Sequence, residues 1–354
     1  MSRFLAPRLA SLEAYVPGEQ PREMEYVKLN TNESPYPPCP AVERAVSPAA
    51  VRRLNLYPDP AGLELRRALA ARYGLSPKNV LLGNGSDEIL NFAFTAFASP
   101  EKGAACPDIS YGFYPVFAAL HGLPLLEVPL KEDFTLCPED YYGLDRLIVF
   151  ANPNAPTGLA IRPEQVENVL RHNPNSVVVV DEAYVDFGAE SCAKLVEKYD
   201  NLVVCMTFSK SRSMAGARLG FALAQPALIA DLETIRCSTN PYNINSLTLA
   251  AGAAAIAGDG YYMDNCRRIM ETRAYTKEQL DRRGFVTLPS LANFLFTSCP
   301  GLDGGELYRD LKARGVLVRW WDKPRLRPFV RVTIGTPEQM NVFLAALDDI
   351  REER

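Results

Sequence analysis

Histidine is nearly missing from this 354-residue chain: His121 and His172 are the two present, and they stand in unrelated surroundings. That scarcity weighs against a histidine-based triad or a histidine-bound metal, and leaves acid–base work to lysine, tyrosine or carboxylates. The eight cysteines contain no C-x-x-C pair and do not cluster with histidine, so they read as reduced thiols rather than a disulfide frame or a zinc site. Excess positive charge is lacking too. With 38 basic and 42 acidic residues the net charge is −4, which gives no basic face for nucleic acid. Long apolar runs are also missing: Leu247–Ala257 is too short and too rich in alanine to cross a bilayer, and the N-terminal MSRFLAPRLASLEAY lacks the apolar core of a secretory signal. The chain has no internal repeat and no low-complexity tract. The expectation is a cytoplasmic protein with no nucleic-acid, membrane or metal partner.

What is present is an ordinary globular composition, 47% apolar and 23% charged, enough for one large domain and a smaller one. A recurring pattern supplies the chemistry: a short apolar run followed at once by polar residues. Leu202–Met206 gives way to Thr207, Ser209 and Lys210. Most lysines are solvated charges, but Arg218 lies a few residues on, between Gly216 and Gly220, so a small-residue turn keeps two cations near one strand end. Two cations suggest an anion between them, and an amine desolvated beside a second cation has a lowered pKa and can form a Schiff base.

Three other strand ends follow the pattern. In SVVVVDEAYVDF, from Ser176 to Phe187, consecutive valines predict a strand covered on both faces, with Asp181 at its end. A buried carboxylate there needs a partner, either the start of a following helix or a cation such as a protonated ring nitrogen. In VLLGNGSDEILNFAFTAF, Val80–Phe97, a Gly-x-Gly turn precedes a helix opening with Ser86 and Asp87, which serves either as a plain cap or as a phosphate site. It is no dinucleotide fingerprint, because Glu88 stands at the third glycine. Arg146–Gly158 runs into a turn of asparagines and prolines that includes Asn154, and Tyr111 follows a further strand end with a ring face for stacking. Phe113, Tyr114 and Phe117 read as core. Proline-rich segments at Ala14–Glu19 and Lys28–Pro40 predict an extended arm. Toward the C-terminus, Arg319 and Arg331 lie on predicted strands, where each faces water or holds an anion. Strand carboxyl ends are where open α/β sheets bind ligands.

The string SKSRSMAGARLG, Ser209–Gly220, resembles the lysine signature S-K-x-x-x-[LM]-A-G-x-R-x-G of the histidinol-phosphate aminotransferase family, a branch of the fold-type I aminotransferases that use pyridoxal 5'-phosphate. GNGSDE resembles the family's G-[NS]-G-[SA]-D-E, LNTNESPYPP its L-x-x-N-E-x-P, and RVTIGT its R-[VI]-T-[IV]-G-T. The resemblance covers nearly the whole chain. It implies an α/β fold: a large domain over 41–240 with a mostly parallel sheet covered by helices, a smaller α+β domain over 241–354, and an N-terminal arm, 1–40, joining the smaller one. Lys210 would be the catalytic attachment point. Ser86, Asp87, Tyr111, Asn154, Asp181, Tyr184, Thr207, Ser209 and Arg218 would hold the cofactor. Tyr57, in NLYPDPAG, would reach the cofactor phosphate of the partner subunit in a homodimer. Tyr15, Asn32, Arg319 and Arg331 would bind substrate.

One position departs from the family. Where its members read N-P-T-G, this chain has Ala155 before the proline, and the expectation is that Asn154 takes over the contact to the cofactor's ring oxygen through a shifted turn. The implied reaction is ping-pong amino transfer from histidinol phosphate to 2-oxoglutarate, giving imidazole acetol phosphate and glutamate in histidine biosynthesis. A threonine-phosphate decarboxylase-like enzyme, an aromatic or broad-specificity aminotransferase, and a non-catalytic relative of this fold are the alternatives. An intact Lys210 argues against the last.

Overall fold

Five of the predicted apolar runs lie side by side. The computed structural model describes residues 2–10 and 12–353, and its main sheet has seven strands in the spatial order Val80–Gly83, Gly220–Ala224, Leu202–Thr207, Val178–Asp181, Leu147–Ala151, Ala104–Pro107, Leu125–Val128. The last five are mutually parallel, and Gly220–Ala224 runs antiparallel to both of its neighbours. All but the outer Leu125–Val128 strand are buried along their whole length. That is why they read as continuous apolar runs: helices cover both faces, so neither face selects for polar residues. One face packs on Leu65 and Leu69 of helix Leu63–Tyr73 and on Val166, Val169 and Leu170 of helix Pro163–His172. The other packs on helices Ser86–Phe97, Phe113–His121 and Pro226–Thr239.

The register aligns the strand ends that carry chemistry. Ala151 sits beside Asp181, Asp181 beside Cys205, and Thr207 beside Gly220, which in turn pairs with Gly83. Segments 83–86, 151–155, 181–184 and 207–210 therefore leave the sheet at one edge, although up to 127 positions separate them in the chain.

The C-terminal part holds a four-stranded antiparallel sheet in the order Arg319–Trp320, Phe329–Thr333, Phe294–Ser298, Val286–Thr287. The N-terminal arm is extended, as its prolines require, and attaches here: Val27–Lys28 pairs in parallel with Val316–Leu317, and Leu29 bonds to Leu317 and Thr333. Helix Ser246–Ala257 lays Ala251 and Ala255 on the large core. The long helix Asp259–Arg282 then puts Tyr262 in that core and Cys266, Ile269 and Leu280 in the C-terminal one. This helix therefore contributes to both cores. Among the described residues the eight cysteines form no disulfide, and no helix is long and apolar enough to cross a membrane.

Candidate active site

The strand ends enclose a cavity of about 320 Å³ lined by Ser86, Asp87, Tyr111, Asp181, Tyr184, Thr207, Ser209, Lys210 and Arg218, and also by Thr31, Glu33, Ala155 and Gly216. Lys210 stands three residues after the strand, and its Nζ donates to the Thr31 carbonyl at 3.0 Å. Burial, then the nearby guanidinium of Arg331, lowers its pKa to about 8, against the opposing pull of Glu33 and Asp87. An amine so placed gives up its proton more readily than a surface lysine and is a usable nucleophile at mildly alkaline pH.

Asp181, 3% exposed, accepts hydrogen bonds from the Tyr114 hydroxyl at 3.0 Å and the Ala183 N–H at 3.2 Å. Burial raises its pKa to about 6, with these two donors pulling it back. A cation at the cavity floor would restore its ionised form. Tyr114 belongs to the site through this bond, although the sequence reading placed it in the core. A wholly buried tyrosine, rather than phenylalanine, was the available signal, since its hydroxyl needs a partner.

At the other end, helix Ser86–Phe97 begins at the cavity, with Ser86 and Asp87 of its first turn in the lining. Asp87 in its first turn accepts from the Tyr111 hydroxyl at 2.8 Å and from Arg218 Nη2 at 3.0 Å, while Arg218 Nη1 reaches the Ser209 hydroxyl at 3.5 Å. Thr207 accepts from the Ser209 N–H at 3.1 Å, which folds the turn carrying Lys210. The cradle is tight. A Cβ on Gly220 would lie 2.5 Å from the Ser86 nitrogen, and Gly85 adopts φ +81, open to glycine alone at little cost. Helix amides, a hydroxyl and a guanidinium around one point suit a phosphate.

Two arginines stand opposite one another. Arg319 and Arg331 are paired residues in adjacent antiparallel strands. Like charges so placed repel unless an anion joins them. Arg331 donates to the Asn30 carbonyl at 3.0 Å, while its Nε is buried without a hydrogen-bond partner among the described residues. Arg319 donates to the carbonyls of Val16 and Pro17, which brings in the segment carrying Tyr15; the Tyr15 ring stacks on Phe113 at 4.2 Å and tilts against Tyr111 at 6.2 Å.

Three assigned residues lie elsewhere. Asn154 is turned away: its amide donates to the Ile109 carbonyl and the Thr157 hydroxyl, and its oxygen accepts from Ser110, so Ala155 and not Asn154 faces the cavity. The proposed shift of the turn does not occur, because those three bonds hold Asn154 in the wall. Asn32 is 1% exposed, and its side chain is committed to Tyr184 and Thr333 rather than open to a substrate. Tyr57 is 80% exposed, stacks on Tyr242 at 4.4 Å, and lines a separate surface groove.

The chain matches the aminotransferase class I and II family over residues 24–347. It belongs to that family. Among curated members it is 47% identical over 340 residues to a histidinol-phosphate aminotransferase of Acinetobacter baylyi, covering 95% of this chain and 94% of that one. With the histidinol-phosphate aminotransferase of Brachyspira hyodysenteriae it shares 46% over 345 residues, covering 97% and 98%. In three dimensions it is similar to the histidinol-phosphate aminotransferase of Sinorhizobium meliloti, solved in complex with pyridoxal-5'-phosphate: TM-score 0.88, 26% identity, covering 100% of this chain and 99% of that one. This aminotransferase has the α/β architecture read from its sequence, and its cavity fits the pyridoxal phosphate carried by the Sinorhizobium neighbour in both respects tested: a cradle with room for an anion but not a Cβ at Gly220, and a buried carboxylate awaiting a cation.

Proposed function

We propose that this aminotransferase takes the amino group from histidinol phosphate and passes it to 2-oxoglutarate, in the cytoplasm and as a homodimer, as one step of histidine biosynthesis. The observation that carries the substrate assignment is the facing pair Arg319 and Arg331, of which Arg331 is near enough to Lys210 to lower its pKa. A phosphate with two negative charges, or a dicarboxylic acid in the second half-reaction, answers two guanidiniums better than an uncharged side chain does. The similarity to histidinol-phosphate aminotransferases of two distant bacteria supports the same reading.

In this reading the helix start at Ser86, with Ser209 and Arg218, holds the cofactor phosphate; Tyr111 covers the ring; Asp181 keeps a proton on the ring nitrogen. When bound, pyridoxal phosphate supplies a ring that withdraws electrons from the carbon next to the substrate's amino group. Lys210 would anchor the cofactor and then, as a free amine near its pKa, would take the proton from that carbon and return it two atoms along, to the cofactor carbon on the far side of the amino nitrogen. Tyr114 and the Ala183 N–H hold Asp181 in place while this occurs. Arg331 and Arg319 fix the substrate's anionic end, and Tyr15 closes over the cavity from the arm. Tyr57 serves the cavity of the partner subunit, which its exposure and its distance from this cavity allow.

The holoenzyme should form glutamate from histidinol phosphate and 2-oxoglutarate, with parallel double-reciprocal lines. Replacing Arg319→Ala should raise KM for histidinol phosphate about tenfold or more, the worth of one charge-assisted hydrogen bond, and scarcely affect phenylalanine. Equal losses on both substrates would remove the phosphate assignment.

A further inference from the structure

Ala155 leaves a gap in the cavity wall that the family pattern fills with an asparagine amide, and Asn154 does not fill it. Tyr184 lines the same cavity. Its direction is set from behind. Asn32 Nδ2 donates to the Tyr184 oxygen at 3.0 Å, Asn32 Oδ1 accepts from the Thr333 hydroxyl at 3.0 Å, and the Thr333 oxygen accepts from the Asn32 N–H at 3.0 Å. Turning the Asn32 amide round would leave the proton of the buried Thr333 hydroxyl facing a second donor and without an acceptor, so the amide has one satisfied orientation. Asn32 sits at φ +56, a conformation that asparagine tolerates, and Asn293 bonds its carbonyl, so the backbone is fixed as well.

We propose that Thr333, Asn32 and Tyr184 form a one-way hydrogen-bond relay that forces the Tyr184 hydroxyl to donate into the cavity, onto the ring oxygen of pyridoxal phosphate, in place of the amide that Ala155 lacks. Because the Tyr184 oxygen already accepts from Asn32, its own proton points the other way. Asn32 is thus a positioning residue that acts through Tyr184. The inference rests on the cofactor site described above. Its electrostatic consequence has a definite sign. When the lysine–cofactor linkage is protonated, its proton is shared with the negative ring oxygen; when it is not, that oxygen depends on other donors. A donor on the oxygen therefore favours the unprotonated linkage and lowers its midpoint. Asp181, Asp87, Glu33, Arg218 and Arg331 also bear on this cavity, and each is unchanged in the variants below.

The measurement is a pH titration of the visible absorbance of purified holoenzyme, which reads the linkage and not turnover. Asn32→Asp keeps the backbone conformation but presents an acceptor to Tyr184, which turns the hydroxyl away; the midpoint should rise by about one pH unit, the worth of one hydrogen bond to a charged group. Asn32→Gly suits the positive φ and removes the amide without adding charge, giving a smaller rise in the same direction. In a Tyr184→Phe background, Asn32→Gly should cause no further shift. The relay is overturned if Tyr184→Phe raises the midpoint while both Asn32 variants leave it in place, or if the Asn32→Gly shift survives in the Tyr184→Phe background. A wild-type protein that gains no visible band with pyridoxal phosphate would instead remove the site itself.

Discussion

Lys210 holds its proton less firmly than a surface lysine because it is desolvated and because Arg331 repels the charge. The group that attacks an aldehyde is the neutral amine, so cofactor uptake by the apoprotein should speed up as pH rises and level off above a midpoint near 8. Arg331→Gln removes the largest repelling charge, so the midpoint should move upward toward the ordinary lysine value; stopped-flow absorbance over a pH series would check both. A downward move would contradict this account of the Lys210 environment. Lys210 and Asp181 were legible in the sequence because each ends an apolar run, and a charge in that setting requires a partner. Asn154 and Asn32 were not. The orientation of an amide depends on what lies across the fold, here Ile109 for one and Thr333 and Tyr184 for the other.

At the scale of elements, the turn after strand Leu202–Thr207 is held from two sides. Arg212 is 4% exposed and bridges Asp186 at 2.9 Å, beyond the Val178–Asp181 strand, to Asp259 at 2.7 Å, at the start of the helix that joins the two cores. Ser211 donates to the same Asp186. Arg212→Met would leave two carboxylates without their shared cation and should lower stability by about 3 kcal/mol, read as a shift in urea midpoint at unchanged slope. A change below a few tenths would mean that the bridge is not an organising contact. Element positions were well read along the chain: the helix opening at Ser86 and the strand after Ser176 stand where the Gly-x-Gly turn and the valine run put them. The run Val316–Arg319 instead divides between two sheets, Val316–Leu317 pairing with the arm and Arg319–Trp320 with Phe329–Thr333. Nothing local in three apolar residues and an arginine distinguishes those partners.

For the molecule as a whole, the surface around Tyr57 is apolar beyond what isolated exposed side chains would give: Leu54, Leu56 and Tyr242 are also exposed beside it. A second copy of the chain covering this patch would hide it and bring Tyr57 to a neighbouring cavity. Sedimentation velocity should therefore give a particle of twice the chain mass, and Tyr57→Ala should weaken cofactor retention about fivefold to tenfold, the worth of one hydrogen bond, without disturbing the Lys210 environment of its own chain. A fully active monomer would refute the arrangement.

The sequence by itself determined which residues are chemically uncomfortable: a lysine, an aspartate and two arginines at or on buried strands, and glycines where a helix begins. Desolvation makes such positions conspicuous wherever the rest of the chain goes. Only the tertiary structure decided what relieves each of them, that Tyr114 serves Asp181, that Ala155 and not Asn154 meets the cavity, and that Asn32 serves Tyr184, because hydrogen bonds are directional and short while the residues that make them are distant along the chain.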